Sequence, residues 1–372
     1  MTQSDIDAKF LKERPEDQRF WVVRASGGQY VRLFREAGIV AIGHLNPLRL
    51  SDGPLLEGNA AAFEAELKKS DPDRPKASIT AHANQAEAFC FTMKKDDIVV
   101  TLDSDALMIG RVTGDPYFAN EPFVQNWSDA PSEKLTHRLR REVSWGPLLS
   151  RGSVPVAMQM TLFAHQTIFN IDRYWTSVYH LLYPCFTFDG RLYLSANIKQ
   201  KAALNNYSIS QLFSLLSGVE AMGKLWANDS DEWKNYPENM EGLSDSMSLN
   251  LSSKAEFMSP GTVWSMITTT TPEMIGIAMV YVMLFGGDLK FFKADGLIDI
   301  HTRQKLWDMV LKLKETHKVS KLKDDLKVDV PKIDTAPLDK PKKPRKAKTG
   351  PKLIVEKSDE DQSIKSTPPH GN

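Results

Sequence analysis

Aromatic rings and basic side chains occur together in the part of this 372-residue chain that precedes residue 150. The rings are Trp21, Tyr30, Phe89, Tyr117, Trp127 and Trp145, and the basic side chains among them are Arg24, Arg111, His137, Arg138, Arg140 and Arg141. A flat ring can stack on a nucleic-acid base while a guanidinium group holds the phosphate, and each stacked base contributes about 1–3 kcal/mol. The alternative interpretation is that these rings only fill the core of a β-rich domain.

Several of these basic side chains belong to one run, HRLRR, which begins at His137. On a strand its side chains alternate, so His137 and Arg141 share one face and Arg138 and Arg140 share the other. One interpretation is a basic surface for phosphate, and the other is a solvated strand edge that discourages pairing with another chain.

Catalytic chemistry has weak support in the sequence. The nearest candidate is the carboxylate pair Asp96 and Asp97 beside two lysines, but adjacent residues of an extended chain point to opposite faces. No phosphate-binding loop of the GxxxxGK[ST] type is present. The two cysteines have neither CxxC nor zinc-type spacing. The sequence therefore predicts no catalytic residue, no metal and no cofactor, and an enzyme is not favoured.

The chain is too long for one ordinary domain, and we expect an α+β protein of two units with tails. The predicted divisions are a flexible lead-in at 1–18, a first unit at 19–172, a second α+β unit at 173–319, and a disordered tail at 320–372. The tail is rich in Lys, Asp and Pro and has almost no aromatic residues, a composition that cannot bury enough apolar surface to fold. Its basic block, 340–348, could attract phosphate.

Local signals in the first unit predict a strand, a helix capped by Gly38, and a second strand at IVAIG. Asn59 is a good N-cap for a helix ending near Lys69. Two further strands meet at a turn around Asp103–Asp105.

In the second unit, Asp189–Gly190 predicts a two-residue hairpin turn. A helix over 208–222 is expected to be capped by Ser208 or Ser210, and a polar loop follows at 225–242. Ser259–Pro260 predicts a helix start. The apolar run 274–285 is about 12 residues long where a bilayer span needs about 20, which favours a buried core helix over 272–285.

Three segments together resemble the PUA-like superfamily, in particular the EVE-like domains of bacterial modified-DNA restriction and anti-phage proteins. They are FWVVRASGG through GIVAIG, then DDIVVTLDSDALMIGRVTGDPYF, then HRLRREVSW followed by SVPVAMQMTLFAHQTIFNI. The resemblance implies a small curved β-barrel with packed helices, whose mouth accepts a flipped or modified base. It covers about residues 20–172.

By position, the resemblance places several residues at the border of that pocket. They are Trp21 and Arg24 on the first strand, the residue after AIG, and the segment from Thr113 to Tyr117. The residue after AIG is usually tryptophan in the family and is His44 here, an imidazole that can also stack and hydrogen-bond. The full set of expected base-binding residues is Trp21, Arg24, Tyr30, His44, Arg111, Thr113, Tyr117, His137, Arg138 and Arg141.

The function that we expect is sensing of nucleic acid, DNA or RNA with a modified base, in bacterial anti-phage defence. The second unit would relay the signal, or bind a partner or a second copy through 173–318. The polar N-terminus carries no apolar signal core, which favours a cytoplasmic protein. Two alternatives stay open: an effector that acts on membranes through 262–287, and a nuclease with its site in 173–318 that uses Asp189, Asp229 or Asp231.

Overall fold

A computed structural model describes residues 11–24, 26–128, 131–162, 164, 166–256, 261–285 and 300–340. Within these residues the protein is built from two main β-sheets with helices packed against them. The α+β fold class predicted from the sequence is confirmed.

The first unit is mostly strands with four helices among its described residues. Its strands are β1 (Phe20–Val23), β2 (Ile39–Ile42), β3 (Gly53–Pro54), β4 (Ile98–Leu102), β5 (Ala106–Val112), β6 (Tyr117–Phe118), β7 (Phe123–Gln125), β8 (Glu133–Leu135), β9 (Leu139–Ser150) and β10 (Ile168–Asn170). Its helices are α1 (Val31–Ala37), α2 (Ala60–Ser70), α3 (Lys76–Glu87) and α4 (Val156–Thr161), and α3 continues into a π-helical turn at Ala88–Thr92.

The main sheet of the first unit is a curled half-barrel. Its strands run in the order β10-β1-β4-β5-β9-β6-β3, and β2 pairs with β9 away from that path. The β1–β4 pair is parallel and the other pairs are antiparallel. The β5–β9 pairing shifts register between Met108 and Gly110. A Cβ on Gly110 would lie 2.5 Å from Cε3 of Trp145, so the glycine lets β9 cross closely at this irregularity.

Three local predictions in the first unit are confirmed, and each depends on residues that are close together in the sequence. Gly38 ends α1 in the left-handed conformation, with φ 64° and ψ 36°. The side chain of Asn59 accepts a hydrogen bond from the Ala62 amide at 2.9 Å, as an N-cap does. Asp103 shapes the β4–β5 turn, because its Oδ1 accepts from the amides of Asp105 and Ala106.

The second unit packs helices on a smaller antiparallel sheet. Its strands are β11 (Cys185–Phe188), β12 (Arg191–Ile198), β13 (Ser252–Glu256), β14 (Gly261–Thr268) and β15 (Val328–Asp329), in the order β11-β12-β14-β13 with β15 on β12. Its helices are α5 (Trp175–Leu182), α6 (Asn206–Ala227), α7 (Met240–Met247), α8 (Thr271–Phe285), α9 (Ile300–Thr316), α10 (Val319–Leu326) and α11 (Ala336–Asp339). The hairpin turn is confirmed, since Asp189 and Gly190 have φ of 51° and 65°.

Helix α8 is the buried core helix that its length predicts. Every side chain from Met274 to Phe285 is buried, and α8 packs on α6. The two helices meet at Gly223 and Gly276, where a Cβ on Gly276 would lie 3.0 Å from the Trp226 ring. Among the described residues, no helix combines the length and the apolar character that crossing a bilayer requires.

Three local predictions in the second unit are wrong. Helix α6 begins after Asn205, whose side chain caps the Tyr207 amide, so neither Ser208 nor Ser210 is the cap. The segment predicted as a polar loop contains the start of α7. Ser259–Pro260 lies outside the described residues, and the residues that follow form β14, because Val263, Ser265 and Ile267 alternate inward with the period of a strand.

The ordered structure extends beyond both predicted tail boundaries. Residues 11–18, assigned to a flexible lead-in, contain the buried Arg14, whose guanidinium lies 4.6 Å from the Trp175 ring. Residues 320–340, assigned to a disordered tail, form α10, β15 and α11. The average composition of a long segment does not reveal the few apolar residues that pack against the folded protein. Residues 1–10 and 341–372 lie outside the described part of the chain.

We call residues 328–340 the C-terminal strap, because they cross from the second unit to the first. Its start pairs with β12 as β15, and its end packs as α11 on β9. Leu338 is 1 % exposed and lies in a core cluster that also contains Phe20 and Phe186. Asp339 forms an ion pair with Lys12 and accepts a hydrogen bond from the Tyr183 hydroxyl. One of the three core clusters in the described part of the chain is therefore shared by the two units.

Candidate ligand site

Three of the expected base-binding residues form hydrogen bonds with other parts of the first unit. Trp21 is 3 % exposed, and its Nε1 donates to Oδ2 of Asp97 at 2.9 Å. Arg141 is 2 % exposed and its guanidinium donates to the carbonyl oxygens of Gly114, Phe89 and Met93. Arg24 donates to the carbonyl of Leu162. Trp21 and Arg141 therefore lie in the interior of the first unit, whereas Arg24 is partly exposed.

Three further expected residues lie on or beside β5 and β6. Arg111 pairs with Asp96 at 2.8 Å and donates to the carbonyl of Leu338 at 3.0 Å, so it anchors the C-terminal strap. Thr113 lines a cavity of about 430 Å³ bordered by Trp145 and Pro337. Tyr117 lies on β6. Arg111 and Thr113 thus both lie beside α11, at Leu338 and Pro337.

Tyr30, His44 and His137 do come together at one end of the half-barrel. His44 follows β2, Tyr30 precedes α1, and His137 precedes β9, so their position is fixed by the ends of three elements. His82 on α3 joins them from across the chain. We call Tyr30, His44, His82 and His137 the imidazole cluster.

Two of the imidazole rings are stacked. The rings of His44 and His82 have centroids 4.1 Å apart and planes 16° apart. His44 is the inner ring at 8 % exposure, and His82 is the outer, half-buried ring. Arg74 caps the outer ring, because its Nη2 lies 3.0 Å from Nδ1 of His82. The stack therefore consists of a buried imidazole covered by a more exposed one.

The other half of the cluster is built around His137. Its Nε2 lies 2.9 Å from Oγ of Ser26, and its ring meets the Tyr30 ring edge-on at 4.9 Å. A Cβ on Gly43 would lie 2.8 Å from Nδ1 of His137, so the glycine of the AIG motif gives this ring its space.

Arg138 lies beside the cluster and is held by the loop after β2. Its amide donates to Oδ1 of Asn46 at 3.0 Å, and its Nη1 donates to the carbonyl oxygen of the same residue at 3.0 Å. Tyr30 contacts the residue before His137, since its hydroxyl lies 3.3 Å from Oγ1 of Thr136. The basic run thus contributes one arginine near the cluster.

The cluster keeps its imidazoles neutral. Burial, with a smaller contribution from the neighbouring His82, lowers the pKa of His44 to about 4, while a hydrogen bond with Gln85 opposes the shift. Burial and the Arg74 charge lower the pKa of His82. Burial and the Arg140 charge lower the pKa of His137. Neutral imidazoles act as one donor and one acceptor each.

Two buried nitrogens of the cluster have no hydrogen-bond partner among the described residues. They are Nε2 of His44 and Nδ1 of His137. A buried polar atom without a partner costs about 1–3 kcal/mol, which a protein tolerates where a ligand or water completes the bond. The cluster is therefore the best candidate for a binding site in the described part of the chain.

The sequence prediction missed His82 and Arg74. Both lie in or just before α3, and no local feature of the sequence indicates what this helix packs against. The contact between His82 and His44 joins residues far apart in the sequence, and no local motif encodes it.

The three aspartates named for the nuclease alternative lie at a turn and in two ion pairs. Asp189 lies at the hairpin turn, Asp229 pairs with Lys305, and Asp231 pairs with Lys234. Within the described residues, no group of three or more His, Cys, Asp or Glu is placed to hold a metal ion. The stacked rings of His44 and His82 do not converge on a common point, since an imidazole nitrogen ligates in the plane of its ring.

The first unit matches one family model, described as "Domain of unknown function (DUF8426)", over residues 28–172. The match covers less than half of the chain, and it ends where the first unit was predicted to end. No curated protein and no solved structure matches the chain. The matched region contains the whole imidazole cluster.

Proposed function

We propose that the first unit senses nucleic acid by taking one base, flipped or modified, into the imidazole cluster. The observation that carries this proposal is the buried Nε2 of His44, which lacks a partner among the described residues and belongs to a ring already stacked on another ring. A base offers both a flat face for stacking and polar edge atoms for such a nitrogen. The half-barrel sheet is compatible with the PUA-like fold that the sequence resembles.

In this proposal His82 is a movable cover. Its ring is the outer member of the stack, and Nη2 of Arg74 lies 3.0 Å from Nδ1 of this ring. A base that takes the place of the His82 ring against His44 keeps the stacking energy. The displacement of His82 also gives the base access to Nε2 of His44. Arg74 and Arg138 lie near enough to the cluster to meet phosphates on either side of the base.

The rest of the proposal concerns the second unit. The shared core and the C-terminal strap join it to the sensing unit, which suits a relay of binding to a partner or a second copy. A role in anti-phage defence follows from the resemblance to EVE-like domains, and modified DNA is the corresponding ligand. Bases with modifications or mismatches cost less to flip, which gives such a sensor its selectivity.

The test is a binding screen of the full chain, because the two units share a core. Fluorescence anisotropy with oligonucleotides that each carry one modified base, in DNA and RNA, measures affinity. We expect His44→Leu to weaken the best probe by about 5- to 150-fold, which corresponds to about 1–3 kcal/mol of lost stacking.

The matched control is His301→Leu, because His301 is exposed on α9. It should bind as the wild type does. Binding of every modified probe no better than the unmodified probe, or equal binding by His44→Leu with an unchanged unfolding midpoint, would overturn base sensing at this site.

A further inference from the structure

Residues 12–14 lie along the outer edge of β11, and we call them the N-terminal arm. The Arg14 amide donates to the carbonyl oxygen of Thr187 at 3.0 Å, and the Thr187 amide donates to the carbonyl oxygen of Lys12 at 2.8 Å. Glu13 and Thr187 form a parallel β-bridge. The arm therefore covers the edge of β11 that faces away from β12, as an added strand does in peptide recognition.

The Arg14 side chain fills a cage of three aromatic rings beside this edge, which we call the arginine cage. Its guanidinium carbon lies 4.3 Å from the ring centre of Phe188, 4.6 Å from that of Trp175 and 5.5 Å from that of Phe20. Its Nη2 donates to the carbonyl oxygen of Gln18 at 3.0 Å, while its Nε has no hydrogen-bond partner among the described residues. Arg14 is 8 % exposed, and Trp175 and Phe188 are half-buried. A planar cation is therefore bound mainly by the faces of rings that reach the protein surface.

Lys12 occupies a second cation site, two residues before Arg14. Its Nζ lies 5.3 Å from the centre of the Tyr183 ring and forms an ion pair with Asp339. Side chains two residues apart on an extended segment share a face, so Lys12 and Arg14 both meet the protein, whereas Glu13 between them is exposed. The groove thus fits the pattern Lys-x-Arg in an extended segment.

Three exposed residues, 15–17, separate the arm from the body of the first unit. Gln18 is fixed there, because its Nε2 donates to the carbonyl oxygen of Asp96 at 2.8 Å and its Oε1 accepts from the Tyr179 hydroxyl at 2.7 Å. The four residue steps from Arg14 to Gln18 span at most about 14 Å. A second copy of the chain can take this arm only if its own β11 comes within that distance of Gln18, which favours a separate partner as the occupant.

We infer that the edge of β11 and the arginine cage form a docking groove for a partner protein, which inserts an extended Lys-x-Arg segment in place of the N-terminal arm. Without the partner, the arm occupies the groove. Its short linker gives it an effective concentration in the millimolar range, which the partner must overcome through contacts beyond these three residues. Displacing Lys12 also frees Asp339, which anchors the C-terminal strap. This inference goes beyond the proposed function and does not depend on nucleic-acid binding.

The test uses a fluorescein-labelled peptide with the sequence of residues 8–18, AKFLKERPEDQ, titrated with the full chain and followed by fluorescence anisotropy. Arg14→Ala in the chain empties the cage, so this variant should bind the peptide about tenfold or more tightly than the wild type does. The matched control, Arg49→Ala, removes an exposed arginine and should bind as the wild type does. Adding Trp175→Ala to Arg14→Ala should abolish the gain. A peptide with alanine in place of its arginine should bind no chain.

A second measurement uses the unmodified chain, so it does not depend on how a variant folds. In NMR spectra of the ¹⁵N-labelled wild type, excess unlabelled peptide should move the amide signals of Glu13 and Arg14 to positions typical of a disordered segment. The alanine-substituted peptide should leave them in place. Unmoved signals would overturn the inference, and so would equal peptide affinities for the wild type and a folded Arg14→Ala. A wild-type dimer that excess peptide dissociates would place the arm of a second copy in the groove and overturn the separate partner.

Discussion

The buried imidazole of His44 predicts a specific loss of stability in acid. Folding lowers the pKa of this ring from an ordinary 6.5 to about 4, chiefly by burial. The unfolded chain therefore takes up a proton below pH 6.5 that the folded chain refuses. Stability that is present at neutral pH is lost progressively as the pH falls from about 6.5 towards about 4.

The size of the effect follows from the two pKa values. Between pH 7 and pH 5 the unfolded state gains about 2 kcal/mol relative to the folded state from His44 alone. His44→Gln cannot titrate, so its free energy of unfolding should fall by about 2 kcal/mol less than that of the wild type over this interval. The His44→Gln variant keeps the pH dependence of the unfolding free energy that comes from His180, because burial lowers the pKa of His180 to about 3.

Urea unfolding followed by circular dichroism at pH 7, 6 and 5 measures this difference. Only the change with pH is compared, so the cost of the substitution at pH 7 cancels. His301→Gln, which alters an exposed ring, should follow the wild type throughout. Parallel pH dependences for the wild type and His44→Gln would refute the claim that the folded protein excludes the charged form of this imidazole.

Three further outcomes are expected. His82→Ala should bind the best oligonucleotide more tightly and associate faster, because the cover no longer has to open; weaker binding would mean that His82 stays in the stack. Leu338→Ala should lower the free energy of unfolding by about 2–5 kcal/mol in urea titrations, against little change for the exposed Leu148→Ala. Gly43→Ala should reduce oligonucleotide affinity in anisotropy titrations, because its Cβ would meet Nδ1 of the His137 ring at 2.8 Å; unchanged affinity would remove that ring from the site.

Local features of the fold were predictable because adjacent residues encode them. Gly38, Asn59 and the Asp189–Gly190 turn each act through their own backbone angles or a side chain that reaches two or three residues along the chain. Ser259–Pro260 gave a false helix signal, because the strand periodicity of the residues after it had more weight than one cap and one proline.

The candidate site was only partly predictable. His44 was found through its place after the AIG motif, but its partner His82 comes from a helix whose docking depends on the whole half-barrel. Trp21 and Arg141 have the residue types of a nucleic-acid site and instead hold the core together. A buried arginine saturated by carbonyl oxygens and a surface arginine that meets phosphate look the same in a sequence.

The C-terminal strap also bears on how the chain reaches its folded state. Phe20 and Leu338 lie in one core cluster, and Lys12 pairs with Asp339 across nearly the whole described chain. Contacts so distant in sequence form late, because the intervening chain must be ordered first. During synthesis, this shared core stays open until residue 338 has left the ribosome. We therefore expect the nascent first unit to expose apolar surface around Phe20 and to depend on chaperones until translation ends.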